Sequence, residues 1–104
     1  MGHYVKRDAI HCAIVGAFRQ MGFSVADMAH AGHSFPDLVV GWNGVSHLVE
    51  VKTGKAPLTD GQVAFAEAWR GSPVVVLRSV TEAVDWATGL RAHRPAVRSI
   101  HRDG

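Results

Sequence analysis

Residues 35–40 of the chain, FPDLVV, and residues 48–52, LVEVK, predict two neighbouring β-strands and decide the fold. Each is an apolar run interrupted only by charged side chains: Asp37 in the first, Glu50 and Lys52 in the second. Because strand side chains alternate between faces with a period of two, Glu50 and Lys52 project from the same face. Such charges are costly to bury unless a partner or a metal ion satisfies them.

The dipeptide Asn43-Gly44 lies between these two runs and is the strongest short signal for a β-hairpin, because both residues tolerate positive φ. Strands over residues 37–42 and 45–52 are therefore expected to pair antiparallel. Two carboxylates and an ammonium at the end of a hairpin are the groups that metal-assisted hydrolysis requires. The carboxylates hold a hard divalent cation, and the cation and the lysine activate water and stabilise charge on phosphate oxygens.

A helix is predicted before the hairpin, over residues 7–22. Its apolar stripe consists of Ile10, Ala13, Ile14, Ala17, Phe18 and Met21, which recur at helical spacing. Gly22 ends the helix at the position that favours a left-handed residue. Alternation over residues 23–28 then predicts a first strand, with Phe23 and Asp27 on the same face.

A second helix is predicted after the hairpin, with Thr59 as the N-cap and Gln62 three residues later, as in a capping box. It is expected to end near residue 70 and to bury its apolar residues, which are Val63, Phe65, Ala66 and Trp69. Residues 74–77, VVVL, predict a fully buried central strand, and residues 81–90 predict a last helix. The order α-β-β-β-α-β-α predicts an α/β fold with a mixed central sheet flanked by helices.

Length and composition limit the class of protein. With 104 residues, 47% of them apolar, the chain is expected to form one folded domain. No apolar run approaches the ~18–20 residues that a membrane span requires, so we expect no membrane partner. A single cysteine permits no internal disulfide and favours a reducing, cytoplasmic compartment.

The charge is unevenly distributed, although the net charge is only +2. Basic residues gather between Arg91 and Arg102, with no acid before Asp103. We expect residues 1–90 to form the folded domain and residues 91–104 to form a basic, mobile tail. Such a tail favours a polyanion such as DNA, and an ordinary solvated terminus explains it equally well.

Pro36-Asp37, twelve intervening residues and then Glu50-Val51-Lys52 resemble the motif of the PD-(D/E)XK nuclease superfamily. The helix that ends at residues 21–23, the helix that opens at residues 58–62 and the strand beyond it resemble, in their order, the small Holliday-junction-resolvase-like and VRR-NUC branches. The resemblance covers roughly residues 8–86. It implies a restriction-endonuclease-like core and a single site that hydrolyses DNA phosphodiester bonds with Mg²⁺ or Mn²⁺.

The resemblance also implies roles for individual residues. Asp37 and Glu50 would bind the cation, with the backbone carbonyl of Val51 as a further ligand. Lys52 would orient or deprotonate the attacking water. Gln62 has two interpretations, since a capping box explains it fully and related families place a glutamine there that could orient water or phosphate. The relatives further imply an endonuclease that selects branched DNA and acts as a homodimer.

The first helix departs from the family pattern. Resolvase-like relatives carry a glutamate about three turns before the glycine that ends this helix, a position that falls near His11 in this chain. The nearest acid, Asp8, is also explained as an N-cap or as an acid at a helix start. His11 is either a ligand of metal or phosphate or a partly exposed helical histidine. His33 and Ser34, in the loop before Pro36, are further candidates for contacting the scissile phosphate.

Two functions from other classes stay open. One is a nucleic-acid-binding module that keeps the nuclease fold without turnover, because the helix glutamate is missing. The other is a structural homodimer in which Glu50 and Lys52 are ordinary surface charges.

Overall fold

The computed structural model of the chain describes residues 7–93. The elements in this range are α1 (Arg7–Gln20), β1 (Ser24–Asp27), β2 (Leu38–Trp42), β3 (Val45–Val51), α2 (Asp60–Ala68), β4 (Val75–Leu77) and α3 (Val80–Ala92). The predicted order is confirmed, with each boundary within two residues of its predicted position. The predicted tail, residues 91–104, overlaps the end of α3, because Arg91 and Ala92 are helical. Its residues 94–104 lie outside the described range, and the expected mobility stays a prediction there. No helix within that range is long and apolar enough to cross a membrane.

The four strands form one mixed sheet in the order β1-β2-β3-β4. β1 pairs antiparallel with β2, and β2 pairs antiparallel with β3, whereas β4 runs parallel to β3. The predicted hairpin is confirmed, since Asn43 and Gly44 have φ values of 54° and 80° and connect β2 to β3. Leu38 pairs with Val49 in this hairpin, so the register brings Asp37 opposite Glu50 at its open end.

The core lies between one face of the sheet and the helices α1 and α3, which also pack against each other. Its completely buried side chains are Ile14, Phe18, Leu38, Val40, Val49, Val51, Ala83 and Ala87. Each large apolar side chain buried in this way stabilises the fold by about 1.5–3 kcal/mol. Because Val49 and Val51 face this core, the alternation of β3 turns Glu50 to the opposite face of the sheet.

The buried face of α1 differs from the predicted stripe. It consists of His11, Ile14, Val15 and Phe18, whereas Ala13 is exposed. The expectation that His11 is partly exposed is therefore wrong, since His11 is 8% exposed. Hydrophobicity alone assigns a histidine to the surface, but Asp27 on β1 gives this one a partner and so reduces the cost of burying it.

The position of α2 also differs from the prediction. The capping box is confirmed, because the Thr59 hydroxyl accepts from the Gln62 backbone N–H and the Gln62 side chain accepts from the Thr59 N–H. However, α2 contains no buried residue, so the predicted burial of Val63, Phe65, Ala66 and Trp69 is wrong. The periodicity of α2 is genuine, but its apolar side is only partly covered: Phe65 and Ala66 are half-buried, whereas Val63 and Trp69 are exposed.

The strand β4 lies at an edge of the sheet, not at its centre. Leu77 is its only buried residue, and Val75 and Val76 are half-buried. A short continuous apolar run is typical of a strand covered on both faces, and here that interpretation is wrong. Because α2 lies loosely against the sheet, only one face of β4 is well covered.

Candidate active site

Asp37 and Glu50 lie side by side at the open end of the hairpin, with both residues almost entirely buried. Asp37 is 5% exposed and Glu50 is 3% exposed. The backbone of Asp37 is fixed by a 2.7 Å hydrogen bond from the Met28 N–H to its carbonyl. The structure thus brings together the two carboxylates that the sequence predicted as neighbours.

Two donors hold the Asp37 carboxylate. The backbone N–H of Val51 donates to Oδ2 over 2.9 Å. Nη2 of Arg7, at the start of α1, donates to both Oδ1 and Oδ2 over 2.9 Å each. Val51 therefore contacts the site through its amide, and the predicted ligand role of its carbonyl stays a prediction.

Glu50 is the most perturbed acid among the described residues. Burial, the neighbouring charge of Asp37 and a hydrogen bond with the Asp37 carboxyl raise the pKa of Glu50 to about 7, against an ordinary value of 4.5. The positive charges of Lys52 and Arg7 act in the opposite direction but are too weak to reverse the shift. Two carboxylates held this close repel each other when both are ionised, and a proton or a cation relieves that repulsion.

Gln62 reaches this site from α2. Its Nε2 donates to Oε2 of Glu50 over 2.8 Å, while its Oε1 accepts from the backbone N–H of Thr59 over 2.9 Å. One side chain thus caps the helix and contacts the candidate site. The two interpretations of Gln62 that the sequence left open are both compatible with this geometry.

Lys52 follows Glu50 by two residues and is half-buried. Its backbone N–H donates to the carbonyl of Leu77 on β4 over 3.1 Å, which fixes the chain where β3 ends. Nη1 of Arg78 donates to the carbonyls of Gly54 and Ala56, at 3.1 and 2.7 Å, and so secures the loop that follows. Within residues 7–93 the Lys52 ammonium makes no hydrogen bond to either carboxylate, so it stays available to another group.

The loop before Asp37 packs against the start of α2. His33 and Ser34 have φ values of 57° and 61°, in the left-handed region that few residues other than glycine adopt. The Ser34 side chain lies so close to Gly61 that a Cβ at Gly61 would overlap the hydroxyl. Gly61 therefore permits this close approach. The predicted phosphate contacts of His33 and Ser34 stay predictions.

His11 and Asp27 form a second polar cluster. Nε2 of His11 lies 2.9 Å from Oδ2 of Asp27, whose Oδ1 accepts from the Ala29 N–H. The hydrogen bond with His11, followed by that from Ala29, lowers the pKa of Asp27. Nδ1 of His11 is buried and has no hydrogen-bond partner among the described residues. The structure thus joins His11 to Asp27 and not to the Asp37–Glu50 pair.

His11 and Asp27 line an open cavity of about 380 Å³. Its lining residues are Arg7, Asp8, His11, Cys12, Asp27, Ala29 and His30. Asp8 is exposed and, in the described part of the chain, has no bond to Asp37 or Glu50. No third acid therefore joins the carboxylate pair there.

The donor set fits a hard divalent cation, although it is small. No three His, Cys, Asp or Glu side chains gather within residues 7–93, so Asp37 and Glu50 are the candidate ligands. Both are oxygen donors, and their repulsion is the kind that a cation relieves. Mg²⁺ and Mn²⁺ suit such a site, because Mg²⁺ commonly keeps several waters and one or two carboxylates.

Sequence reasoning missed two residues at this site. Arg7 lies 30 positions before Asp37, and nothing in the sequence links the two. The only feature of the sequence that marks Arg7 is its position next to Lys6, which makes a short basic pair. Gly61 could have been noticed as a glycine in the first turn of a helix, where it lowers helix propensity by about 1 kcal/mol relative to alanine.

A scan against models of protein families found no match for this chain, and a search of curated proteins found none either. The functional assignment therefore depends on the geometry described above.

Proposed function

We propose that the protein is an Mg²⁺- or Mn²⁺-dependent deoxyribonuclease with a restriction-endonuclease-like core of the PD-(D/E)XK type. One observation carries this proposal: Asp37 and Glu50 form a buried carboxylate pair at the open end of the β2–β3 hairpin. Lys52 follows directly after β3, and its ammonium makes no hydrogen bond to any of residues 7–93. A purely structural role does not account for two adjacent acids buried on a small sheet.

In this proposal each residue has a separate task. Asp37 and Glu50 hold the cation, and the Val51 N–H and the Gln62 amide keep the two carboxylates in place. The cation, when bound, polarises a phosphoryl oxygen and lowers the pKa of a bound water. Lys52 donates to a non-bridging phosphate oxygen or orients the attacking water.

The reaction is hydrolysis of one phosphodiester bond. The oxygen of water bonds to phosphorus while the bond from phosphorus to one deoxyribose oxygen breaks. The attacking water gives up a proton to bulk water, and the departing oxygen takes one up from bulk water. Lys52 and the cation stabilise the charge that gathers on the phosphate oxygens during this exchange.

Substrate and assembly follow from the resemblance and the charge. The chain has a pI near 9.1, which favours a polyanion. We propose DNA as the partner, with branched DNA preferred, in a cytoplasmic homodimer. The exposed apolar side chains of α2, including Trp69 at 42%, offer a surface that a second copy could cover.

A second candidate is a DNA-binding module without turnover. Two observations favour it: the described residues supply no third acid, and Arg7 occupies the carboxylate that the cation needs. Metal binding at Asp37 and Glu50 would count against this candidate.

The decisive experiment combines substrates with a matched pair of variants. Linear, nicked, single-stranded and four-way DNA are incubated with Mg²⁺, with Mn²⁺ and with EDTA. We expect cleavage with metal, no cleavage with EDTA and a loss of at least 100-fold in Glu50→Gln, because the amide keeps the shape but loses the charge that holds the cation. Glu67→Gln, at an exposed position on α2, makes the same chemical change and should cut like the wild type. Equal activity in both variants would refute the proposal.

A further inference from the structure

Both carboxylate oxygens of Asp37 already accept hydrogen bonds. Arg7 Nη2 donates to each of them over 2.9 Å, and the Val51 N–H adds a third bond at Oδ2. A cation would bind the same two oxygens and carries the same sign of charge as the guanidinium. Arg7 and a cation therefore cannot both bind Asp37 directly without strong repulsion.

The two donors differ in how easily they can leave. Val51 belongs to β3, and its amide is fixed by the strand. The Arg7 side chain is 45% exposed, compared with 7% for Asp37, and it binds through a single nitrogen. This geometry lacks the two parallel hydrogen bonds that make arginine–carboxylate pairs strong. Arg7 is thus the partner that can yield.

We infer that Arg7 is a displaceable latch on the metal site: it holds Asp37 while the cation is absent and must leave for the cation to bind. The inference rests on the proposed function, because it concerns the same carboxylates. Arg7 thereby lowers the affinity for the cation. Nε and Nη1 of Arg7 make no hydrogen bond to any of residues 7–93. Once Arg7 is displaced from Asp37, all its N–H groups are therefore free to bind a phosphate.

The inference is tested on the DNA-free protein, by calorimetric titration with Mn²⁺ alone. Arg7→Gln should bind Mn²⁺ about five- to tenfold more tightly than the wild type, because the cation no longer has to break two charge-assisted hydrogen bonds. Arg19→Gln is the matched control. It removes the same charge from the same helix and should leave the affinity unchanged, because the Arg19 side chain hydrogen-bonds to the Val25 carbonyl and, within residues 7–93, to neither Asp37 nor Glu50.

A second measurement separates displacement from a general effect of charge. The side-chain NMR signals of Arg7 should shift when Mg²⁺ is added to the wild type and should not shift in Glu50→Gln. Unshifted Arg7 signals in the wild type under saturating Mg²⁺ would overturn the latch, even if Arg7→Gln bound metal more tightly.

The remaining outcomes are distinguishable. If Glu50→Gln loses Mn²⁺ binding while Arg7→Gln matches or falls below the wild type, the latch is refuted and the proposed metal site stands. If the wild type binds no Mn²⁺ at millimolar concentration, the proposed function fails and the latch fails with it. If circular dichroism shows that Arg7→Gln does not fold, Arg7→Met replaces it, because methionine keeps an unbranched apolar stem and removes the charge and the donors. An affinity no tighter than that of the wild type in Arg7→Met then refutes the latch.

Discussion

The Gln62 side chain on α2 and the Glu50 carboxylate on β3 are joined by a 2.8 Å hydrogen bond. Because α2 contains no buried residue, this bond is one of the few described contacts that attach the helix to the sheet. A ring contact with a centroid distance of 5.5 Å between Phe35 and Phe65 joins the helix to the loop before β2. The geometry of the candidate site and the placement of α2 therefore depend on the same side chain.

Gln62→Ala should impair both the helix and the site. It removes the capping box and leaves Glu50 without its amide donor, so we expect a loss of about 1–2 kcal/mol in the free energy of unfolding and a marked drop in cleavage. Thr59→Ala is the matched control, because it removes the cap hydroxyl without touching Glu50. It should cost about 1 kcal/mol and keep most of the cleavage rate. Urea denaturation and single-turnover cleavage measure the two effects, and equal cleavage in both variants would contradict the role of Gln62.

Glu50 predicts a pH dependence of stability. Its pKa is raised to about 7 in the folded protein, against 4.5 ordinarily, so the folded state binds more protons between these values. The stability that Glu50 contributes is therefore fully present below pH 4.5 and is lost as the pH rises through about 7.

The wild type should accordingly lose up to about 3 kcal/mol of unfolding free energy over this range, relative to Glu50→Gln. The difference between the two proteins reports Glu50 together with its interaction with Asp37, since the other titrating groups are the same. Denaturant titrations at several pH values measure it. A constant difference between pH 4 and 8 would show that the carboxyl titrates normally.

Gly61→Ala should destabilise the protein although alanine favours helices. The added Cβ would overlap the Ser34 hydroxyl, and such overpacking typically costs about 1–3 kcal/mol. Gly16→Ala, on α1 with no neighbouring atom within 4 Å of the new Cβ, should instead stabilise by about 0.5–1 kcal/mol.

Combining Gly61→Ala with Ser34→Gly should restore stability, because it removes the overlapping hydroxyl and suits the φ of 61° at Ser34. Thermal unfolding compares the wild type, Gly61→Ala, Gly16→Ala and the double variant. If Ser34→Gly gives no rescue, the close approach of the loop to α2 is not what makes alanine unfavourable at Gly61.

Removal of residues 94–104 should weaken DNA binding and flatten its dependence on salt. The segment carries three arginines and one aspartate, and each phosphate neutralised by a cationic side chain releases counterions from DNA. Fluorescence anisotropy at several salt concentrations measures both quantities. A full-length variant with Arg94, Arg98 and Arg102 changed to Gln separates charge from length and should behave like the truncated chain. An unchanged affinity and salt slope would place the DNA contacts elsewhere.

The hairpin and its carboxylate pair could be predicted from the sequence because the signals are local. Asn43-Gly44 sets the turn, the turn sets the register, and the register brings Asp37 opposite Glu50. Local signals also identified the capping box at Thr59 and Gln62, although the longer reach of Gln62 to Glu50 depends on where α2 lies.

Contacts between distant segments could not be predicted in the same way. The stripe on α1 was misplaced because exposing Ala13 costs little, while His11 gains a partner only when β1 is beside it. The hydrogen bond from Arg7 to Asp37 likewise forms only when α1 packs against the sheet. For α2, periodicity shows which side is apolar, but it does not show whether anything packs there.

The absence of buried residues on α2 has a consequence for how the molecule opens. Local unfolding costs least where few apolar contacts hold a segment, so amide hydrogens of α2 should exchange with solvent well before those of β2 and β3. Glu50 belongs to the slowly exchanging strand β3, and Asp37 and Lys52 lie directly beside β2 and β3, whereas Gln62 belongs to the segment that opens first. Local unfolding of α2 would thus open one side of the candidate site and free a molecule bound against α2, while Asp37 and Glu50 keep their positions.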